Sequence, residues 1–343
     1  MSVTRTGPGD PVTARCGRRV VTAVTVVVLL VLSTLGASAL PSGDTRAAGK
    51  TTTGATEPGS TGHLVTIGDG RSIYLQCQGT GSPTVVLVSG TGGASDEWTH
   101  VVDPAHPAGP LKPSRSAVLP TVASSTRVCA YDRPGTTRVD GSLSPSTRVP
   151  QPTTAKDGVA DLEAVLRAAG EHPPYVLVGA SWGAMITTLF ARTHPTQVTG
   201  LVTVDGASQF LKETLTPDQW SDWMDKIAAT ESAKRLEVPD YESSVTEIRN
   251  APALPQLPPA AVLTSDQPWD LQVGHSGSTW PAWLAAQQRL ASDLHARHIT
   301  HTDSGHGISV EQPQLVAHAI RAVGGVPASK GPPRLAGRAH VGE

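Results

Sequence analysis

Aromatic side chains are scarce in this chain: they make up 4% of its residues, with only two phenylalanines. Any core it forms must therefore be mainly aliphatic, drawn from its abundant Ala, Val and Leu. Charged residues are also few, at 16%, and they nearly cancel to a net charge of −2. A surface that reads nucleic acid needs a marked excess of Lys and Arg, so no nucleic-acid partner is expected. The chain has no His-Glu-x-x-His and no clustered Cys/His spacing, the usual marks of a metal site. Its glycine-rich Ser89-Gly90-Thr91-Gly92-Gly93 lacks the Lys-Ser/Thr of a phosphate loop and the third glycine of a dinucleotide turn. No cofactor is expected, and no internal repeat is visible.

The N-terminus has the make-up of a targeting segment. Arg15, Arg18 and Arg19 precede an apolar run from Val20 to Leu32, and Ala37-Ser38-Ala39 follows as a small-residue cleavage site. Residues 1–40 thus read as a signal peptide. The alternative is an uncleaved membrane anchor, because about 20 residues suffice to span a bilayer. Either reading places the remaining chain outside the cytoplasm, secreted or held at a membrane by its N-terminal segment. Residues 41–62 read as a flexible linker and 326–343 as a disordered tail. Beyond the leader only Cys77 and Cys129 remain. In an exported protein the pair suggests one disulfide, and otherwise two buried thiols.

Between linker and tail, short apolar runs alternate with stretches of helical period, the pattern of a mainly parallel sheet covered by helices. Strands are expected at His63–Ile67, Arg71–Gln76, Thr84–Ser89, Thr126–Tyr131, Tyr175–Val178, Val198–Val204, Ala260–Thr264 and His298–Thr302. Helices are expected at Ala155–Ala169, Trp182–Thr193, Trp280–Ala296 and Pro313–Val323. Residues 206–257 have helical period but no strand, too long for a plain connection, and are expected to form a lid.

The most informative stretch is Gly179-Ala180-Ser181-Trp182-Gly183, where an apolar run meets a helical one. Such a strand–turn–helix junction exposes a serine hydroxyl, and the glycines let strand and helix pass closely. A serine needs a base, and the base needs an orienting acid. Among twelve histidines, His306 in Asp303-Ser304-Gly305-His306-Gly307 directly follows the last strand, where functional groups of parallel sheets gather. For the acid, Asp266 after Ala260–Thr264 is the first choice, with Asp205 and Asp270 as alternatives. The developing oxyanion requires backbone donors, expected from the N–H groups of Thr91 and Trp182.

In chain order, Thr84–Gly93, Tyr131-Asp132-Arg133-Pro134-Gly135, Gly179–Gly183, Gly200–Asp205 and Ser304-Gly305-His306 with Glu311-Gln312-Pro313 resemble the α/β-hydrolase superfamily over residues 63–325. The resemblance implies an α/β-hydrolase fold, with a mainly parallel central sheet flanked by helices and a helical lid insertion. It further implies a Ser–His–Asp triad that cleaves an ester or amide through an acyl-enzyme, a small-molecule or lipid-like ester being the expected substrate. Asp132 and Arg133 are then structural residues bracing the turn after their strand. The superfamily's strand order also sets the strand of Cys77 beside that of Cys129, which suits a disulfide. The chain departs from common members at Ser89, where His often stands, at Ala184 and in the acid strand, which lacks the usual Gly-x-x-Asp ending. Rival readings are a peptidase or amidase, a cofactor-free haloperoxidase or lyase, and a non-catalytic binding protein on the same scaffold.

Overall fold

The computed structural model describes residues 62–326, apart from 235, 255, 257, 272 and 274–276. The expected leader and nearly all of the linker and tail lie outside the described residues. Among the described residues, no helix is long and apolar enough to cross a membrane.

The chain opens with an antiparallel pair, β1 (His63–Gly68) and β2 (Arg71–Gln78), then enters β3 (Thr84–Val88). A short helix α1 (Val118–Ala123) leads to β4 (Val128–Tyr131). Helix α2 (Ala155–Ala168), β5 (Tyr175–Ala180), helix α3 (Trp182–Thr193) and β6 (Val198–Val204) follow. Helices α4 (Leu211–Thr214), α5 (Pro217–Lys234) and α6 (Tyr241–Asn250) intervene before β7 (Ala260–Leu263). Helix α7 (Trp280–Asp293), β8 (Arg297–Ile299), α8 (Ile308–Glu311) and α9 (Pro313–Gly324) close the fold. The strands β1 to β8 form one sheet in the order β1-β2-β4-β3-β5-β6-β7-β8. β2 runs antiparallel to both of its neighbours, and the other pairings are parallel.

Every residue of β3 and β5 is buried, as expected where helices cover both faces of a parallel sheet. Because side chains alternate across a strand, each run feeds two cores. Val85, Leu87, Val176 and Val178 face one layer with Val118, Leu119 and Val122 of α1 and Val316, Ile320 and Val323 of α9. Val86, Val88 and Leu177 face the other layer with Leu162 and Val165 of α2 and Met185 and Leu189 of α3. Val and Leu supply most of both layers, and the second also holds aromatics such as Tyr131, Tyr175, Trp182 and Phe190.

Helix α2 starts where Thr154 and Asp157 cap one another reciprocally, each side chain bonding the other's backbone N–H. It stops before Gly170, whose φ of +71° a side chain would resist. Cys77 and Cys129 stand directly opposite on β2 and β4 and are joined by a disulfide. No periodic pattern in the sequence marks α1, α8 or the 3₁₀ turn at Ser95–Thr99. These elements have six residues or fewer, too short to display a period.

Candidate active site

Ser181 sits between β5 and α3 at φ 46°, ψ −119°, a conformation rarely held by a residue with a side chain. Strain of this kind persists only where the surroundings over-determine it. Here the Ser181 N–H donates to the Val204 carbonyl (3.1 Å), while its own carbonyl accepts from Ala184 (3.0 Å) and Ala207 (2.9 Å). Gly179 and Gly183 are obligatory: a Cβ on Gly179 would lie 2.5 Å from the Gly183 carbonyl oxygen, and one on Gly183 would lie 2.2 Å from that of Val88. Replacing Ser181 by glycine removes the strain, so Ser181→Gly is expected to gain about 1 kcal/mol in urea unfolding. A variant less stable than the wild type would contradict a strained elbow.

Asp205 directly follows Val204 and also has a positive φ, 41°. Its carboxylate is fully buried but well supplied with donors. The Ser265 N–H (3.0 Å), the Ser265 hydroxyl (2.9 Å) and Trp283 Nε1 (3.1 Å) all donate to Oδ1. Oδ2 lies 2.7 Å from His306 Nδ1. Trp269 is tilted against the His306 ring with centroids 4.1 Å apart, and Trp283 meets it edge-on at 5.5 Å.

The expected acid, Asp266, is not beside His306. It is exposed, and its carboxylate accepts from the Thr302 N–H (3.1 Å) and the Ser304 N–H (3.0 Å), bracing the turn that carries His306. Its slight burial would raise its pKa, yet the backbone donors Ser304, Asp303 and Thr302 hold it below the usual carboxylate range. Asp270 accepts from the Thr279 hydroxyl (2.8 Å) at the start of α7. The alternative Asp205 is the carboxylate that the fold brings to His306. β7 contributes the residue before Asp266 instead, because Ser265 donates both its N–H and its hydroxyl to Asp205.

The loop after β3 lies against the elbow: a Cβ on Gly90 would come within 3.1 Å of the Ser181 Cβ. Ser89 donates to the Ala94 carbonyl (3.0 Å) and accepts from Trp98 Nε1 (2.8 Å). Arg133, predicted to brace its own turn, reaches further: Nη1 donates to the Ser89 carbonyl (2.9 Å) and Nη2 to the Gly90 carbonyl (2.6 Å). Its buried partner is Glu237, on the segment between α5 and α6, which also accepts from the Gly92 N–H (2.7 Å). The Gly93 N–H goes to the Gly90 carbonyl (3.2 Å). Burial pulls the Arg133 pKa down, but the Glu237 charge more than offsets this and holds it above its ordinary value.

Glu97 stands near this loop, with its Oε1 3.4 Å from the Ser309 hydroxyl. Desolvation raises its pKa against the opposing pulls of Ser309, His306 and Arg133. Neither Glu97 nor Glu237 belongs to a motif that sequence reading recognises. Trp182, at the elbow, packs on Tyr241 (4.9 Å between centroids), which contacts Trp223 (4.4 Å), which in turn contacts Trp220 (5.5 Å). Among the described residues, the one cluster with metal-ligand spacing is Cys77, Cys129 and Glu171. Its two sulfurs are tied up in the disulfide, so it offers no thiolate.

A family model described as alpha/beta hydrolase fold matches residues 83–310. An uncharacterized protein of Schizosaccharomyces pombe is 31% identical over 166 residues, covering 44% of this chain and 30% of its own length. An Escherichia coli protein named as a candidate carbamate hydrolase, RutD, is 31% identical over 126 residues, covering 36% of this chain and 38% of its own. The chain thus spans less than half the length of the curated relatives it matches. Among solved structures, wild-type Cfl2 of Burkholderia cenocepacia superposes with a TM-score of 0.52 at 18% identity, covering 77% of this chain and 95% of that one. At that identity the likeness speaks for the fold alone.

Proposed function

Because this chain belongs to the alpha/beta hydrolase fold family, we propose that it is an exported serine hydrolase that cleaves carboxylic esters through Ser181, His306 and Asp205. The observation that carries the reading is the 2.7 Å His306–Asp205 pair, with Asp205 directly following Val204, whose carbonyl accepts from the N–H of Ser181, a serine held at positive φ. With Nδ1 bound to Asp205, His306 uses Nε2 to take the hydroxyl proton as the Ser181 Oγ attacks the ester carbonyl. The N–H groups of Thr91 and Trp182 receive the oxyanion. The neighbouring Gly92 and Gly93 N–H groups are already spent on Glu237 and the Gly90 carbonyl. Collapse of the tetrahedral intermediate expels the alcohol, which takes its proton from His306. Water activated by the same histidine then hydrolyses the acyl-Ser181 ester, releasing the acid and restoring the serine.

Asp205 is needed to hold the histidine tautomer and to balance the imidazolium during each transfer. No step calls for a metal or an organic cofactor. Export is supported by the N-terminal leader composition and by the Cys77–Cys129 bond, which an oxidising compartment favours. The helical segment α4–α6 lies between β6 and β7, where it would serve as the lid.

The test is turnover of p-nitrophenyl esters from acetate to palmitate, with a carbamate included, by the exported protein and by Ser181→Ala. Hydrolysis lost in Ser181→Ala, together with stoichiometric labelling of Ser181 by an alkyl phosphonate, is the expected result. A folded wild type that neither hydrolyses nor is labelled would sink the proposal in favour of a binding role.

A further inference from the structure

A peptide unit is planar and trans, so its carbonyl and the following N–H point in opposite directions. The carbonyl of Gly90 and the N–H of Thr91 belong to one such unit. Whatever holds that carbonyl therefore aims that N–H. Two donors hold it, Arg133 Nη2 at 2.6 Å and the Gly93 N–H at 3.2 Å. The preceding unit is fixed by Arg133 Nη1 on the Ser89 carbonyl, and the Gly92 N–H just beyond is fixed by Glu237.

The Arg133 and Gly92 contacts converge on Glu237. Its Oε1 accepts from Arg133 Nε (2.5 Å), and its Oε2 accepts from both Arg133 Nη2 (3.0 Å) and the Gly92 N–H (2.7 Å). Glu237 is carried by the insertion and not by the sheet. Its own backbone is docked on the Asp132-Arg133-Pro134-Gly135 turn: the Glu237 N–H donates to the Gly135 carbonyl (2.9 Å). Gly135, at φ +83°, is required there because a Cβ would lie 2.8 Å from the Glu237 nitrogen. Tyr241, the first residue of α6, adds a further contact from the same segment, its Oη lying 3.0 Å from Thr91 Oγ1.

We infer that Glu237 is a positioning residue: from the insertion, it sets the direction of the Thr91 N–H by locking Arg133 and Gly92 on either side of it. The inference rests on the proposed role of Thr91 as an oxyanion donor. It makes the segment between α5 and α6 part of the transition-state apparatus as well as a cover. A substrate in its ground state gains little from a well-aimed N–H, whereas the tetrahedral oxyanion gains much.

Two readouts test this separately from the hydrolase reading. In hydrogen exchange on the intact protein, the peptide spanning Ser89–Ala94 is expected to exchange faster in Glu237→Gln than in the wild type. Unchanged exchange there overturns the inference, whether or not the protein hydrolyses esters. In turnover, Glu237→Gln is expected to lose about 10- to 100-fold in kcat with KM within about twofold. Its affinity for an alkyl boronic acid, which forms a tetrahedral adduct on Ser181, should fall by a similar factor. A rise in KM alone, with kcat and boronate affinity kept, overturns it. Should Glu237→Gln fail to fold with Arg133 left unpaired, Glu237→Asp keeps the charge but loses the reach to both partners, and the same outcomes apply. Lys212→Ala, which removes an exposed ion pair to Glu242 in the same insertion, controls for general loosening of these helices. An inert wild type with altered exchange in Glu237→Gln would defeat the hydrolase reading and leave the loop assignment standing.

Discussion

Asp205→Asn is expected to lower kcat by about 10⁴-fold, while Asp266→Asn stays within about tenfold of the wild type. The reason lies in the donors around Asp205. Oδ1 already accepts from the Ser265 N–H, the Ser265 hydroxyl and Trp283 Nε1. An asparagine there must place its carbonyl oxygen on that side and turn its NH₂ towards His306. Nδ1 then becomes an acceptor, the ring proton moves to Nε2, and the nitrogen facing the serine can no longer take a proton. Asp266→Asn instead loosens a brace on the Thr302–Ser304 turn. Steady-state kinetics of the two variants, with circular dichroism as a folding check, decide the matter. Equal losses, or a greater loss at Asp266, would return the acid to β7. The brace itself has a simple pH dependence. A carboxyl with a lowered folded pKa contributes fully above its unfolded value of about 4 and loses its contribution as pH falls through the folded one.

The second large effect concerns the antiparallel end of the sheet. Cys77 and Cys129 close a loop over a sequence separation of 52 residues. In the chain-entropy account, such a link removes freedom from the unfolded chain worth about 4 kcal/mol. Cys77→Ala/Cys129→Ala is therefore expected to lower the urea-unfolding free energy by about that amount. A loss under about 1 kcal/mol would show that β-pairing alone holds β2 to β4. The position matters for the site as well, because β4 runs straight into Asp132 and Arg133. Weakening this pairing would loosen the guanidinium that grips Ser89 and Gly90.

The strands were legible because burial on both faces writes continuous apolar runs, and β3 and β5 appear close to their expected bounds. The placement of Ser181 and His306 was legible for a different reason: each sits at a junction whose local sequence states its geometry. The acid was not. Three aspartates follow strands or lie near their ends, and local sequence does not say which strand end faces a histidine 101 positions away. Ser265, adjacent to the favoured Asp266, is the residue β7 devotes to the site, as a donor to Asp205. Glu237 was invisible for the same reason, because its partner Arg133 is 104 positions distant. The helical character of 206–257 could be read from its period, but the carboxylate it delivers to the loop after β3 could not.

Most of the chain's tryptophans gather towards the place where the proposed chemistry occurs. Its seven tryptophans connect to the site by short chains of contacts: Trp98 bonds Ser89, Trp182 stands at the elbow, Trp223 meets Tyr241 and Trp220 packs on Trp223, while Trp269 and Trp283 meet His306 and Trp280 packs on Trp269. Three of these indoles adjoin the candidate catalytic residues directly: Trp182 follows Ser181 in the chain, and Trp269 and Trp283 contact the His306 ring. Acylation of Ser181 is expected to change the emission of Trp182, the next residue in the chain. Formation and decay of an acyl-enzyme can then be followed by stopped flow without a coloured leaving group, which opens the search for the natural substrate to compounds that carry no chromophore.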